Sequence, residues 1–166
     1  MSEDKALSDA RARISDCRRR LQRLDANSID LLFVEARNHN WWQDRDVTDD
    51  QLREIWDMMK FCSTSSNTQP ARLIFIRSHE AKEKLKPCLM PTNVEKTMAA
   101  PVTALLAYDL EFFDDFARNY PVHPELGERF KTNAAVAEKF AFQQCTLQGA
   151  YLIMAIRAAG LDAGAM

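Results

Sequence analysis

Cys62-Ser-Thr-Ser-Ser-Asn-Thr-Gln-Pro-Ala-Arg-Leu-Ile-Phe-Ile76 decides how the rest of the chain is read. Its first half is a run of small hydroxyl residues with Asn67 and Gln69, closed by Pro70. Its second half is apolar and β-branched. The order is turn chemistry followed by strand chemistry. Short polar side chains let backbone N–H groups come close to a planar ligand, and the hydroxyls and amides can then read its carbonyl and ring-nitrogen edge. The bland alternative is a helix-to-strand loop that satisfies its own backbone. Arg37-Asn-His-Asn-Trp-Trp42 upstream and Gly160-Leu-Asp-Ala-Gly164 downstream make the pattern more specific.

Around this stretch the periodicity alternates between helix and strand. Thr48-Asp-Asp-Gln51 has the form of a capping box, and Leu52, Ile55, Trp56 and Met59 follow at helical spacing. Residues 72–77 read as a strand, and Ser78 caps a short helix through Lys86. Thr92-Asn-Val-Glu95 reads as a second capping box. The apolar run 101–108 predicts a strand buried on both faces. Residues 111–119 predict a short aromatic-faced helix, and 120–127, with two prolines and a glycine, a mobile loop. Residues 133–159 form the longest periodic segment, stopped by Gly160, and 161–163 start another strand. That long helix is apolar almost all round, so it is either central or shared with a second subunit. The fold class is α+β or α/β with a high helical share.

Ahead of this body, residues 1–27 read as a charged helical extension in which Leu7, Ile14, Leu21 and Leu24 form a thin apolar stripe among arginines. A second helical stretch starts at Ser28. The extension is a solvated helix or a partner-binding appendage. Its arginines alternate with Asp9, Asp16 and Asp25, which disfavours a nucleic-acid arm.

Composition narrows the function. The chain has 166 residues, 46% of them hydrophobic, with a net charge of −2, which suits one folded domain and gives no global field for nucleic acid. Four cysteines without CxxC spacing and three histidines offer no metal pattern and suit a reducing, cytoplasmic compartment. The start lacks the order of a secretory signal, and no apolar run reaches the roughly 18–20 residues of a membrane span.

Five segments in the right order carry a resemblance. They are Glu35-Ala-Arg-Asn-His-Asn40, residues 48–77, Asn93-Val-Glu-Lys-Thr-Met-Ala-Ala-Pro-Val-Thr-Ala104, Leu147-Gln-Gly-Ala-Tyr-Leu-Ile153 and Gly160-Leu-Asp-Ala-Gly164. From about residue 28 onward, the chain resembles the flavin-dependent nitroreductase superfamily, and within it the malonic semialdehyde reductase branch. Residues 117–129 differ from that branch. Gln69-Pro70 matches the wider superfamily better, and Ser63 stands where relatives often have proline.

The resemblance implies a mostly antiparallel sheet flanked by helices, with FMN in a cleft between the long helices of a homodimer. It also implies NADPH or NADH as hydride donor, hydride passing through flavin N5, and a small aldehyde as acceptor. Nitroaromatics or quinones are the alternative acceptors. Arg37, Asn38 and Asn40 would hold the phosphate and ribityl chain, with His39 a further candidate because the register can slide by one residue. Thr64, Ser65, Ser66, Asn67 and Gln69 would line the isoalloxazine edge, and Ala163 and Gly164 would enter the same site. Trp41 and Trp42 are expected in core packing. No protein nucleophile or metal is implied. The relatives continue past a Gly-Pro-Met-type ending, so residues 28–166 read as a flavin-binding domain lacking its C-terminal part, and a non-catalytic remnant without flavin is the rival reading.

Overall fold

The structure is a computed structural model, and it describes residues 3–166. Two compact units divide between Glu35 and Ala36. The first holds helix α1 (Glu3–Arg20) and a short α2 (Ala26–Ile29) that widens into a π-helical turn at Asp30–Val34. Asp25, not Ser28, caps α2: its carboxylate accepts from the Ser28 amide at 2.9 Å and from the Ser28 hydroxyl at 3.0 Å. Those two bonds hold the Asp25 carboxyl below its ordinary pKa.

The second unit is built on one antiparallel strand pair, β1 (Ala71–Ile76) with β2 (Thr103–Tyr108), in the register Ala71 opposite Tyr108 through Ile76 opposite Thr103. Helix α3 (Asp49–Met59) precedes β1. Its capping box is formed: Thr48 Oγ1 accepts from the Gln51 amide at 3.2 Å, and Gln51 Oε1 accepts from the Thr48 amide at 3.0 Å. Helices α4 (His79–Leu85) and α5 (Pro91–Ala99) cross between the strands. Ser78 caps α4, whereas α5 starts at Met90 and Pro91 without a side-chain cap. The expected box at Thr92 fails because Pro91 already supplies a helical first residue with no N–H to cap.

After β2, a 3-10 turn Phe112–Asp115 runs into α6 (Phe116–Asn119), and α7 (Glu128–Lys131) leads to the long helix α8 (Ala134–Ala158). Asn133 caps α8, and Gly160 ends it at φ +72°. The segment expected to be a mobile loop is packed. A 3-10 turn at Pro124–Gly127 presses Gly127 against Phe116, where an added Cβ would lie 3.1 Å from the Phe116 Cβ. That contact closes an aromatic core of Phe112, Phe116 and Phe130 with Ala137 and Ala141 of α8.

A larger core joins Leu52, Ile55 and Met59 of α3 to Ala71 of β1 and Cys145, Leu152 and Ala155 of α8. Every buried residue of α8, from Ala137 to Ala155, falls on one helical stripe. Strand β2 is not buried on both faces: Leu105 is 39% exposed, because β1 pairs with one edge and α8 covers one face while the rest opens into a cavity. No strand forms at 161–163, which have no regular secondary structure. Among the described residues, no helix is long and apolar enough to cross a membrane.

Lys82 is the unusual member of the interior. It lies on α4 with 3% of its surface exposed, and its ammonium donates to the Ala100 carbonyl at the end of α5. Burial pushes its pKa below the ordinary lysine value. The folded chain therefore holds that proton less tightly than the unfolded chain. This penalty is fully present below the lowered pKa and is relieved as pH climbs toward the ordinary value. The urea midpoint, followed from about pH 7 to about pH 10, should show a rising component that Lys82→Met removes; identical slopes in both proteins would contradict it.

Candidate functional site

The hydroxyl loop between α3 and β1 is a strained turn. Ser66, Asn67 and Gln69 have φ of 52°, 48° and 47°, a backbone region that costs non-glycine residues on the order of 1 kcal/mol each. Gln69 Nε2 donates to the Cys62 carbonyl at 2.8 Å and to Asn67 Oδ1 at 2.9 Å, and Asn67 Nδ2 donates to the Asn119 carbonyl at 2.9 Å. The Gln69 amide donates to Thr64 Oγ1 at 3.2 Å, and the Thr68 hydroxyl to the Ser65 carbonyl at 3.1 Å.

Two residues of α8, Gln144 and Gln148, hold the loop from beneath. Gln144 Oε1 accepts from the Ser65 amide at 2.8 Å. Gln148 Oε1 accepts from the Ala71 amide at 2.9 Å, and its Nε2 donates to Gln69 Oε1 at 2.7 Å. Both are at least nine-tenths buried, and they lie four residues apart on the buried stripe of α8. Sequence pattern alone does not single them out, although two glutamines at that spacing on an apolar helix are the available signal.

The loop's polar groups therefore divide into two classes. The side chains of Asn67 and Gln69 are consumed in shaping the turn. The hydroxyls of Ser65 and Ser66 make no hydrogen bond among the described residues and remain open to a ligand.

The second set lies at the start of the second unit. Arg37 is exposed, with Nη1 on the Ala36 carbonyl at 2.8 Å. Asn38 grips the backbone of Ala165 on both sides: its Oδ1 accepts from the Ala165 amide at 2.5 Å and its Nδ2 donates to the Ala165 carbonyl at 3.3 Å. The His39 amide donates to the Ala163 carbonyl at 3.2 Å, and its ring Nε2 lies 3.6 Å from Asp162. Asn40 Oδ1 accepts from Lys96 Nζ at 3.2 Å, and the Trp42 indole N–H donates to the Lys96 carbonyl at 2.7 Å. Gly164 is required where it stands, since a Cβ there would lie 2.1 Å from the His39 carbonyl oxygen. His39 thus lies against Ala163 and Gly164, and Asn38 against Ala165.

Trp41 departs from expectation. It is 80% exposed, whereas Trp42 is half-buried with its indole on the Lys96 carbonyl.

A cavity of about 730 Å³ opens beside β2, lined by Trp42, Thr97, Leu105, Gly149 and Ile153 as well as Ala163 and Gly164. Neither Arg37 nor any residue of 64–69 lines it. The two sets are each assembled, but one chain does not join them around this cavity. Burial raises the thiol pKa of Cys62 and Cys145, which keeps both protonated and disfavours thiolate chemistry here.

Comparison with known proteins assigns this architecture. The model of the nitroreductase family matches residues 39–166, and the chain belongs to that family. It is 52% identical over 141 residues to "Putative NADH dehydrogenase/NAD(P)H nitroreductase HadB" of Ralstonia pickettii, covering 84% of this chain and 72% of that protein. It is 48% identical over 143 residues to a Burkholderia lata protein of the same description, covering 86% of this chain and 73% of that one. Among solved structures, "putative nitroreductase ydfN" of Bacillus subtilis aligns with TM-score 0.70 at 16% identity, over 83% of this chain and 74% of that chain. A "putative nitroreductase in complex with FMN" from Exiguobacterium sibiricum aligns with TM-score 0.70 at 18% identity, over 86% and 75%. These two likenesses show the fold.

Gln148→Leu takes from the Ala71 amide and from the Gln69 side-chain oxygen Oε1 the partner that Gln148 supplies. Chemical denaturation should read a loss of about 1–3 kcal/mol, with faster protease nicking at 63–69. A loss below about 0.5 kcal/mol with unchanged nicking would show that the glutamine does not hold the loop.

Proposed function

We propose that the chain is an FMN-dependent NAD(P)H oxidoreductase that works as a homodimer and takes a small aldehyde such as malonic semialdehyde as acceptor. The observation that carries this reading is the pair of hydroxyls, Ser65 and Ser66, that make no hydrogen bond among the described residues, on a turn where the side chains of Thr64, Asn67, Thr68 and Gln69 are bonded. Such a turn fits a flat ligand with a polar edge. FMN, when bound, supplies the exchange of hydride between the nicotinamide donor and the acceptor.

The chain's own part is to bind and orient. Arg37 offers a guanidinium fork suited to phosphate, beside Asn40 and His39. Asn38 fixes the backbone of Ala165, and through it the placement of Ala163 and Gly164 next to the phosphate-binding segment. Thr64, Ser65 and Ser66 meet the ring edge, where donors stabilise charge on the reduced flavin. Asn67 and Gln69 keep the turn in shape. The descriptions of the Ralstonia and Burkholderia relatives support the nicotinamide donor, and the FMN complex from Exiguobacterium supports the flavin. The choice of a semialdehyde follows the resemblance of residues 93–104 and 147–164.

The homodimer is supported by a second apolar face on α8. Val136, Leu147 and Tyr151 remain 49%, 48% and 46% exposed in one chain, although the opposite stripe is buried. Two exposed thiols, Cys17 and Cys88, suit a reducing compartment such as the cytoplasm.

Nitroaromatics and quinones form the second reading of the acceptor, favoured by Gln69-Pro70. Turnover of malonic semialdehyde, a nitroaromatic and a quinone by the flavin-loaded protein separates the two. Purified protein titrated with FMN should quench flavin fluorescence to saturation and bleach on adding NADPH or NADH. Arg37→Ala should weaken FMN binding roughly tenfold to a hundredfold, the range of one charge-assisted hydrogen bond. A protein that stays colourless at saturating FMN contradicts the reading.

A further inference from the structure

Helix α1 lies outside the residues matched by the family and carries a pattern that the oxidoreductase reading does not use. On a helical projection, Ala6, Leu7, Ala10, Ile14 and Cys17 gather into a stripe roughly 100° wide, with Leu21 continuing it just past the helix end. Arg11 and Arg18 border this stripe on one side, and Arg13 and Arg20 on the other. Asp9 and Asp16 lie on the back. No described residue of the helix is buried; Leu7 is 51% and Ile14 53% exposed. Asp16 engages Arg19 at 2.9 Å and Arg20 at 3.1 Å. Arg11, Arg13 and Arg18 make no ion pair among the described residues.

We infer that α1 is a docking helix for an acidic helical surface of another protein, one that presents an apolar seam between rows of carboxylates. Charge decides the partner's sign. Two copies of α1 would bring arginine rims together whether they ran parallel or antiparallel, so self-pairing is opposed in both directions. A surface with Glu or Asp along both rims turns that repulsion into attraction.

Shape decides that the partner is a protein helix. Ala6, Ala10 and Cys17 lie along one edge of the stripe, which lets a second backbone approach closely while Leu7 and Ile14 act as anchors. An interfacial membrane helix relies on Trp, Phe or Leu to enter the lipid, and this stripe has one leucine and no aromatic residue within α1. The aspartates on the back also leave the helix without the all-round basic surface that a nucleic-acid arm would use.

The test uses the full chain with four probes. They are a synthetic amphipathic helix with a Leu/Ile seam and glutamate rims, the same peptide with lysine rims, phosphatidylserine/phosphatidylcholine vesicles, and a mixed-sequence RNA. The glutamate-rimmed peptide should bind, more weakly as salt rises from about 50 to about 300 mM. Ile14→Asp should weaken it at least about tenfold, the scale of losing one buried anchor. Joint replacement of Arg11, Arg13 and Arg18 by Glu should switch preference to the lysine-rimmed peptide, with the urea midpoint of both variants unchanged as the check on folding. Equal binding of both peptides, no binding by about 100 μM, or binding of only vesicles or RNA would overturn the inference. So would self-association that Ile14→Asp abolishes.

Discussion

Two buried glutamines on α8 set the shape of the hydroxyl loop between α3 and β1. Gln144 and Gln148 stand one turn apart on a stripe otherwise made of Ala, Cys and Leu, and their amides reach the Ser65 amide, the Ala71 amide and the Gln69 side chain. A buried side-chain amide without partners would be costly, so each glutamine fixes the loop as firmly as the loop fixes it. The left-handed backbone at Ser66, Asn67 and Gln69 persists under that constraint. Because the same helix carries both cores, the orientation of the loop is tied to the packing of the whole second unit.

The segment from Arg37 to Trp42 is fixed by a different logic. It has no regular secondary structure, and its order comes from backbone pairing with residues 163–165, from Lys96, and from the absence of a side chain at Gly164. The arginine thus sits beside the end of α8 and the loop beside its middle. A second copy, packed on the free face of α8 that bears Val136, Leu147 and Tyr151, is the natural means of bringing one segment to the other. The proposed homodimer would complete the site in this way.

Much of this was legible from residue order. The capping box at Thr48, the strand after Pro70, the helix from Asn133 to its stop at Gly160, and the α+β class all follow from local rules, and the structure has them. The errors came where tertiary context overrides local pattern. The run 101–108 looked buried on both faces because apolar content alone cannot show how many neighbours a strand has. Residues 120–127 looked mobile because Pro and Gly mark turns, yet Gly127 is there to let a turn press against Phe116. Thr92 looked like a cap, but Pro91 had already started the helix. In the site, the sequence lists Asn67 and Gln69 among polar residues facing a ligand, and the structure adds that their amides also bond the loop, Asn119 and Gln148. It also missed Gln144 and Gln148, whose importance depends on what lies across from them.

In the proposed homodimer, the arginine segment and the hydroxyl turn of one flavin site come from different chains. Mixing two defective proteins tests it most directly: one carrying Arg37→Ala, the other carrying Ser65→Ala and Ser66→Ala, each weakened in FMN binding alone. After subunit exchange, the account predicts that tight FMN binding returns, because each heterodimer contains one site with both elements intact. If exchange is demonstrated and the mixture still binds no better than its two components, the shared site does not exist.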